Sequence, residues 1–142
     1  MQIDSIGSGI VIDHVRAGFG LKVVEYLGID TESQTVAVIM NAVSKKHGRK
    51  DIVKIENPTG ADIDFKALGL VAPGATVSVI KHHKLESKTQ HPLPGRVKNV
   101  IRCKNPRCVT SIEAVPHIFH KVNETGMYRC EYCDHIVTPN EL

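Results

Sequence analysis

The chain has no tryptophan, and its aromatics amount to three phenylalanines and three tyrosines. So few rings make it hard to assemble a platform on which single-stranded bases could stack. Charge of one sign is scarce too: 18 Lys+Arg against 15 Asp+Glu leave a net +3, too little to coat a polyanion by net charge alone. Any anion site must therefore be local. No apolar run exceeds strand length, Val36 to Met40 being typical, which leaves no candidate for a membrane-spanning helix. The first 90 residues hold no cysteine, and the start, Met1-Gln2-Ile3-Asp4-Ser5, has no basic stretch backed by an apolar one. Nothing there directs secretion, and a reducing cytoplasm is the expected compartment. What remains is ordinary globular composition, 42% hydrophobic and 23% charged over 142 residues, enough for one mid-sized domain or two small ones.

The segment His91-Pro92-Leu93-Pro94-Gly95-Arg96 divides the chain, because two prolines around one leucine force an extended, ladder-poor stretch. Two domains are expected, 1–93 and 94–142. In the first, the β-branched run Gly9 to Val15 reads as a strand, and Leu21, Val24 and Leu27 at helical spacing read as a helix that stops at Gly28. Thr35 to Val43 and Lys50 to Glu56 form two further strands around a polar hairpin loop. Ile63, Ala67 and Leu70 suggest a second helix before Pro73, and Ala75 to Ile80 returns to strand. The order β-α-β-β-α-β predicts an α+β fold, a ferredoxin-like domain with two helices on one face of an antiparallel sheet.

The four cysteines follow the linker as Cys103-x4-Cys108 and Cys130-x2-Cys133. Two short knuckles facing each other make a tetrahedral thiolate site, and Asn105-Pro106 supplies a turn for the first. Lys104, Arg107 and Arg129 offset the negative charge of zinc with four thiolates. Two disulfides or four unpaired buried thiols are the competing readings, disfavoured by the absent secretion signal and by the knuckle geometry. Four protein ligands leave no open position, so the expected zinc is structural, holding together a small all-β domain that could scarcely bury a sufficient core unaided.

Basic residues cluster at Lys45, Lys46, Arg49, Lys50 and Lys54, and again at Lys81, His82, His83, Lys84 and Lys88. Strand alternation gives Lys50, Ile52 and Lys54 one face and Val53 and Ile55 the other, with Val11 and Asp13 joining the lysines if the first strand alternates likewise. Apolar contacts beside converging cations suit a nucleotide, although on residues alone a lysine-rich hairpin is more often a solvated edge. An RNA-recognition motif would need aromatics on its inner strands, and Lys50 to Glu56 has none. No catalytic set emerges: Asp13 and His14, as neighbours on a strand, should point to opposite faces, and His117 and His120, one helical turn apart, lack an acidic partner of suitable spacing. A non-catalytic regulatory subunit and a free-standing zinc-ribbon adaptor for nucleic acid both remain open at this point.

Gly9-Ile-Val-Ile-Asp13-His14, Gly48-Arg-Lys50-Asp-Ile-Val-Lys54-Ile-Glu56-Asn57, Ala72-Pro-Gly-Ala-Thr76-Val and the cysteine spacing together resemble the regulatory chains of aspartate carbamoyltransferase, over essentially the whole length. The resemblance implies a regulatory chain that catalyses nothing and acts in pyrimidine biosynthesis. Its first domain would bind the allosteric effectors CTP and ATP, with UTP a further candidate, and would pair with a second regulatory chain. One structural Zn2+ per chain would sit on Cys103, Cys108, Cys130 and Cys133, and the zinc domain would dock on catalytic chains through Asn105, Arg107, Glu113, Glu131 and Tyr132. Six regulatory with six catalytic chains are expected, with no membrane and no nucleic acid. Carried over by position, His14 and Lys88 face phosphates, Asp13 and Lys54 the ribose and phosphate region, and Ile6, Val11, Lys50, Ser78, Ile80, His83 and Leu85 the rest of the pocket. Ser78 and His83 stand where enteric members carry asparagine and tyrosine.

Overall fold

The computed structural model describes residues 7–45, 48–56 and 65–138. The chain forms two compact units, Met1–Pro92 and Leu93–Leu142. Among the described residues no helix is long and apolar enough to cross a membrane.

The first unit runs β1 (Gly9–Arg16), α1 (Gly20–Tyr26), β2 (Thr35–Ser44), β3 (Gly48–Glu56), α2 (Phe65–Val71), β4 (Thr76–Lys81) and β5 (Lys84–Gln90). Its strands form one antiparallel sheet in the order β2-β3-β1-β4-β5. The expected β-α-β-β-α-β order is present, and β5 is an addition. All seven residues of β5 are exposed, so it carries no apolar alternation that a sequence pattern could reveal. One face of the sheet carries Ile10, Ile12, Val15, Val53, Ile55 and Val77, all buried together with Val23 of α1, Leu27 at its C-terminal cap, and Leu68 and Val71 of α2.

Helix α1 is rotated from its expected setting. Gly20, Val23 and Leu27 turn inward, whereas Leu21 is 60% exposed. A Cβ on Gly20 would lie 2.9 Å from Val38 and 3.0 Å from the Asp51 carboxylate, so only glycine lets the helix start this close to the sheet. Gly28, at φ +64°, ends the helix in the left-handed conformation expected of a C-terminal glycine. For α2, Ala67 and Leu70 are buried as their spacing requires, while Ile63 lies outside the described residues.

Asp51 organises this half of the sheet. It shares the core side of β3 with Val53 and Ile55 and is fully buried. Its Oδ2 accepts the Gly18 and Gly20 N–H groups at 3.0 and 2.8 Å, and its Oδ1 accepts the Asn41 N–H at 2.8 Å. One carboxylate thus ties β3 to the start of α1 and to a bulge in β2, where the register slips between Ile39 and Ala42. A second bulge lies in β1. Ile12 pairs with Val53 and Val15 with Asp51, so Asp13 and His14 together oppose Ile52. His14 has φ +60°. The expectation that Asp13 and His14 point to opposite faces therefore fails, because the extra residue breaks the alternation at that step.

The second unit holds β6 (Arg96–Lys98), a 3-10 turn (Val109–Ser111), β7 (Ile118–Lys121), β8 (Tyr128–Cys130) and β9 (Ile136–Val137), in sheet order β6-β7-β8-β9. Its small core is Val97, Ile101, Ile118, Phe119, Tyr128 and Val137. Burial, aided by the Glu124 charge, pushes the Tyr128 phenol up to about 12. It stays a neutral donor and bonds the Pro94 carbonyl at 2.6 Å. His117 and His120 do not share a helical turn: His120 lies in β7 and meets Glu131 at 3.0 Å, an acidic partner that becomes visible only once β7 pairs with β8.

Candidate functional site

The four cysteine sulfurs lie within 4.8 Å of one another. Cys103 and Cys133 Sγ are 3.6 Å apart, and Cys108 and Cys130 Sγ 3.7 Å. A tetrahedron with metal–sulfur bonds of about 2.3 Å has edges of about 3.8 Å, whereas a disulfide needs about 2.05 Å. All four are free thiols, and the spacing fits four ligands of one ion.

The chain is shaped around those sulfurs. The Cys108 N–H closes a turn on the Asn105 carbonyl at 3.0 Å, with Pro106 and Arg107 between, as the Asn-Pro pair predicts. Backbone N–H groups two residues on, from Asn105, Thr110 and Tyr132, point at Cys103, Cys108 and Cys130, which favours thiolate. Burial pushes the Cys103 thiol up to about 12 and raises Cys130 as well, while the neighbouring Thr110 brings Cys108 down to about 7. A bound dication supplies the positive charge that desolvation demands. His117 is a supporting residue the sequence did not reveal: its Nδ1 accepts the Cys103 N–H at 3.0 Å, and its own N–H and carbonyl are held by Asn99. Around this centre Arg107, Glu113, Glu131 and Tyr132 are exposed, and Asn105 is half-buried.

The second constellation lies on the sheet face opposite the helices. Register puts Lys54, Val11, Ser78 and Lys88 in one row across β3, β1, β4 and β5. Asp13 and Thr76 are paired in the next row, and Ile80 and Leu85 face each other two residues the other way. The β1 bulge adds His14, whose Nδ1 is 3.2 Å from Thr76 Oγ1. Lys50 Nζ reaches Asp13 Oδ1 at 2.9 Å. His83 sits in the β4–β5 turn at φ +63°, its N–H bonded to the Gly7 carbonyl at 2.7 Å and its ring against the Gly7 Cα. Ile6 lies outside the described residues. The remaining ten residues expected to form a pocket thus share one face and its end turn, with apolar groups towards His83 and cations towards Lys50.

Burial alone would raise the Asp13 carboxyl, but the Lys50 hydrogen bond, the His14 N–H and the charges of both outweigh it and leave Asp13 below the ordinary aspartate range. A depressed carboxyl adds stability above its unfolded value of 3.8, and that stability is lost as pH falls through the lower folded value. The urea midpoint of the first unit should therefore drop more steeply below about pH 4 in wild type than in Asp13→Asn. Parallel curves would remove Asp13 from the acid limb.

Known proteins resemble the chain throughout. The family model described as aspartate carbamoyltransferase regulatory chain, allosteric domain, matches residues 1–91, and that described as its metal binding domain matches residues 95–142. A protein of Clostridium botulinum strain Hall is 48% identical over 144 residues, covering 100% of this chain and 97% of its own. One from Clostridium tetani is 47% identical, covering 96% and 95%, and one from Bifidobacterium longum is 50% identical, covering 94% and 96%. All three bear the name aspartate carbamoyltransferase regulatory chain.

Proposed function

This chain belongs to the aspartate carbamoyltransferase regulatory chain family, and on that premise we propose that CTP and ATP bind the open face of its first unit and bias the catalytic chains it joins. It is a non-catalytic subunit of a pyrimidine biosynthesis enzyme, with an allosteric domain and a metal-binding domain. The zinc-ribbon adaptor is set aside by that membership.

The observation that carries the nucleotide reading is the row Lys54, Val11, Ser78, Lys88 beside the Asp13, Lys50 and His14 group. An apolar end suits a base, and the cationic end suits phosphates. In this reading Val11, Ile80, Leu85 and His83 border the nucleoside with Ser78, while His14, Lys50, Lys54 and Lys88 meet the phosphates. Asp13 holds Lys50 in place. UTP, with the same triphosphate, is a third candidate. Zinc is the metal, held by Cys103, Cys108, Cys130 and Cys133 in a closed structural site, because borderline-soft dications favour four thiolates in tetrahedral geometry. The metal unit docks on catalytic chains through its exposed knuckles, the first unit pairs with a second copy, and six regulatory chains join six catalytic chains in the cytoplasm. An effector acts by binding one quaternary state better than the other, since equal affinity shifts nothing.

The test is co-expression with the cell's carbamoyltransferase, followed by titration and activity with CTP and ATP. Lys54→Ala and Lys88→Ala should each weaken CTP binding about tenfold to a hundredfold, the worth of one charge-assisted hydrogen bond, with circular dichroism unchanged. The exposed Lys98 is the control. Equal affinity in wild type and both variants would refute these assignments.

A further inference from the structure

The last residue of β5, Gln90, pairs with Thr76 of β4, and His91 Nε2 lies 3.4 Å from Thr89 Oγ1. The first unit thus holds the chain up to its exit. On the other side the second unit takes hold at once. The buried Tyr128 hydroxyl donates to the Pro94 carbonyl at 2.6 Å, the Lys121 N–H donates to the Gly95 carbonyl at 2.9 Å, and Arg96 opens β6 opposite His120. Only Pro92 and Leu93 remain between His91 and Pro94. The two proline rings fix their own φ and keep the residues before them, His91 and Leu93, out of the helical region. The covalent link is short, stiff and held at both ends.

The bond to Gly95 is backbone to backbone and forms whatever the side chains are. The Pro94 carbonyl, which precedes the β6 ladder, is instead held by a side chain from β8. Phenylalanine would fill the same place in the core, so the contribution of the hydroxyl is this bond rather than packing. A slack linker absorbs a displacement through its soft dihedrals, whereas a stiff one held at both ends hands it on. We propose that Tyr128 is a positioning residue for the effector response: by pinning Pro94 it leaves the linker too short and stiff to absorb what a bound effector does to the first unit, so the bias reaches the metal unit. The proposal rests on the effector reading and deepens it. Tyr128 is fully buried in the second unit, so it touches neither the nucleotide nor a catalytic chain and acts through the linker alone.

The experiment co-expresses the cell's catalytic chains with wild type, with Tyr128→Phe, and with a chain carrying two glycines inserted after Pro92. Both altered chains should keep their zinc, the wild-type activity without effector and the wild-type CTP affinity, while the largest change in activity that CTP produces falls about twofold or more. A residue that only stabilised the fold would lower the melting temperature and leave that amplitude alone. Trypsin cleavage after the exposed Arg96 is a second readout that needs no effector. It should quicken severalfold in Tyr128→Phe, because loss of the pin lets the entry to β6 open locally. Full CTP amplitude in Tyr128→Phe overturns the proposal, and full amplitude in the glycine insertion does so even if the tyrosine variant fails to fold. A wild-type chain that does not bind CTP sinks the effector reading instead. The pin is then judged by trypsin alone: faster cleavage in Tyr128→Phe supports it, and equal cleavage overturns it.

Discussion

Cys108→Ala and Cys130→Ala should each abolish stoichiometric metal binding and unfold the second unit while leaving the first folded. Both cysteines are buried, and their sulfurs lie 3.7 Å apart, so alanine removes a ligand with no neighbour to replace it. Among its described residues the unit has six buried aliphatic and aromatic ones and a sheet whose last strand is two residues long. Structural zinc contributes on the order of 10 to 16 kcal/mol of apparent binding free energy, against roughly 5 to 15 kcal/mol of net stability for a whole domain. Losing the ion therefore exceeds what the core can offset. Elemental analysis should find one zinc per wild-type chain and none in either variant, and a chelator with a mercurial should melt the second unit alone. A protein free of metal that resists both reagents would end the reading.

Asp51→Ala should be the most damaging substitution in the first unit. It leaves the Gly18, Gly20 and Asn41 N–H groups without their acceptor; the buried Gly20 donor alone costs about 1 to 3 kcal/mol, and the part-buried donors of the exposed Gly18 and Asn41 add less because water can reach them. The loss is a sizeable share of a domain's stability. Asp51→Asn should fall between, because the amide offers one oxygen and turns its NH2 towards the remaining donors. Urea unfolding measures the difference, and zinc content should stay unchanged, since the carboxylate is far along the chain from the cysteines. A midpoint in Asp51→Ala equal to wild type would show that water replaces the carboxylate.

What could be read from residues was whatever depends on spacing. Cys103 to Cys133 announced a metal site because short loops between thiols have few other uses, and Lys50, Ile52 and Lys54 opposite Val53 and Ile55 announced a two-faced strand. Whatever depends on a partner strand stayed hidden. The β1 bulge appears only when Ile12 and Val15 are laid against β3, and His120 acquires Glu131 only through the β7–β8 pairing. Strand β5 lacks apolar alternation, Leu85 being its one apolar residue. Asp51 was the readable exception that went unread: an aspartate in phase with Val53 and Ile55 sits on the core side and must find donors there. Helix α1 misled because Leu21 has the right spacing, and the approach of Gly20 to the sheet overrides it.

The β1 bulge bears on which lengths of this strand can be inherited. With Ile12 and Val15 both facing the core and two residues between them, β1 carries one residue more than simple alternation needs. Deleting His14 would restore plain alternation, and Ile10, Ile12 and Val15 would keep their facing. Deleting Val11 would instead throw Gly9 and Ile10 out of phase with everything after them. Among single-residue losses in β1, those that remove Asp13 or His14 spare the core and change only the outer face, so a relative with such a gap keeps the fold of this strand while its open face is altered.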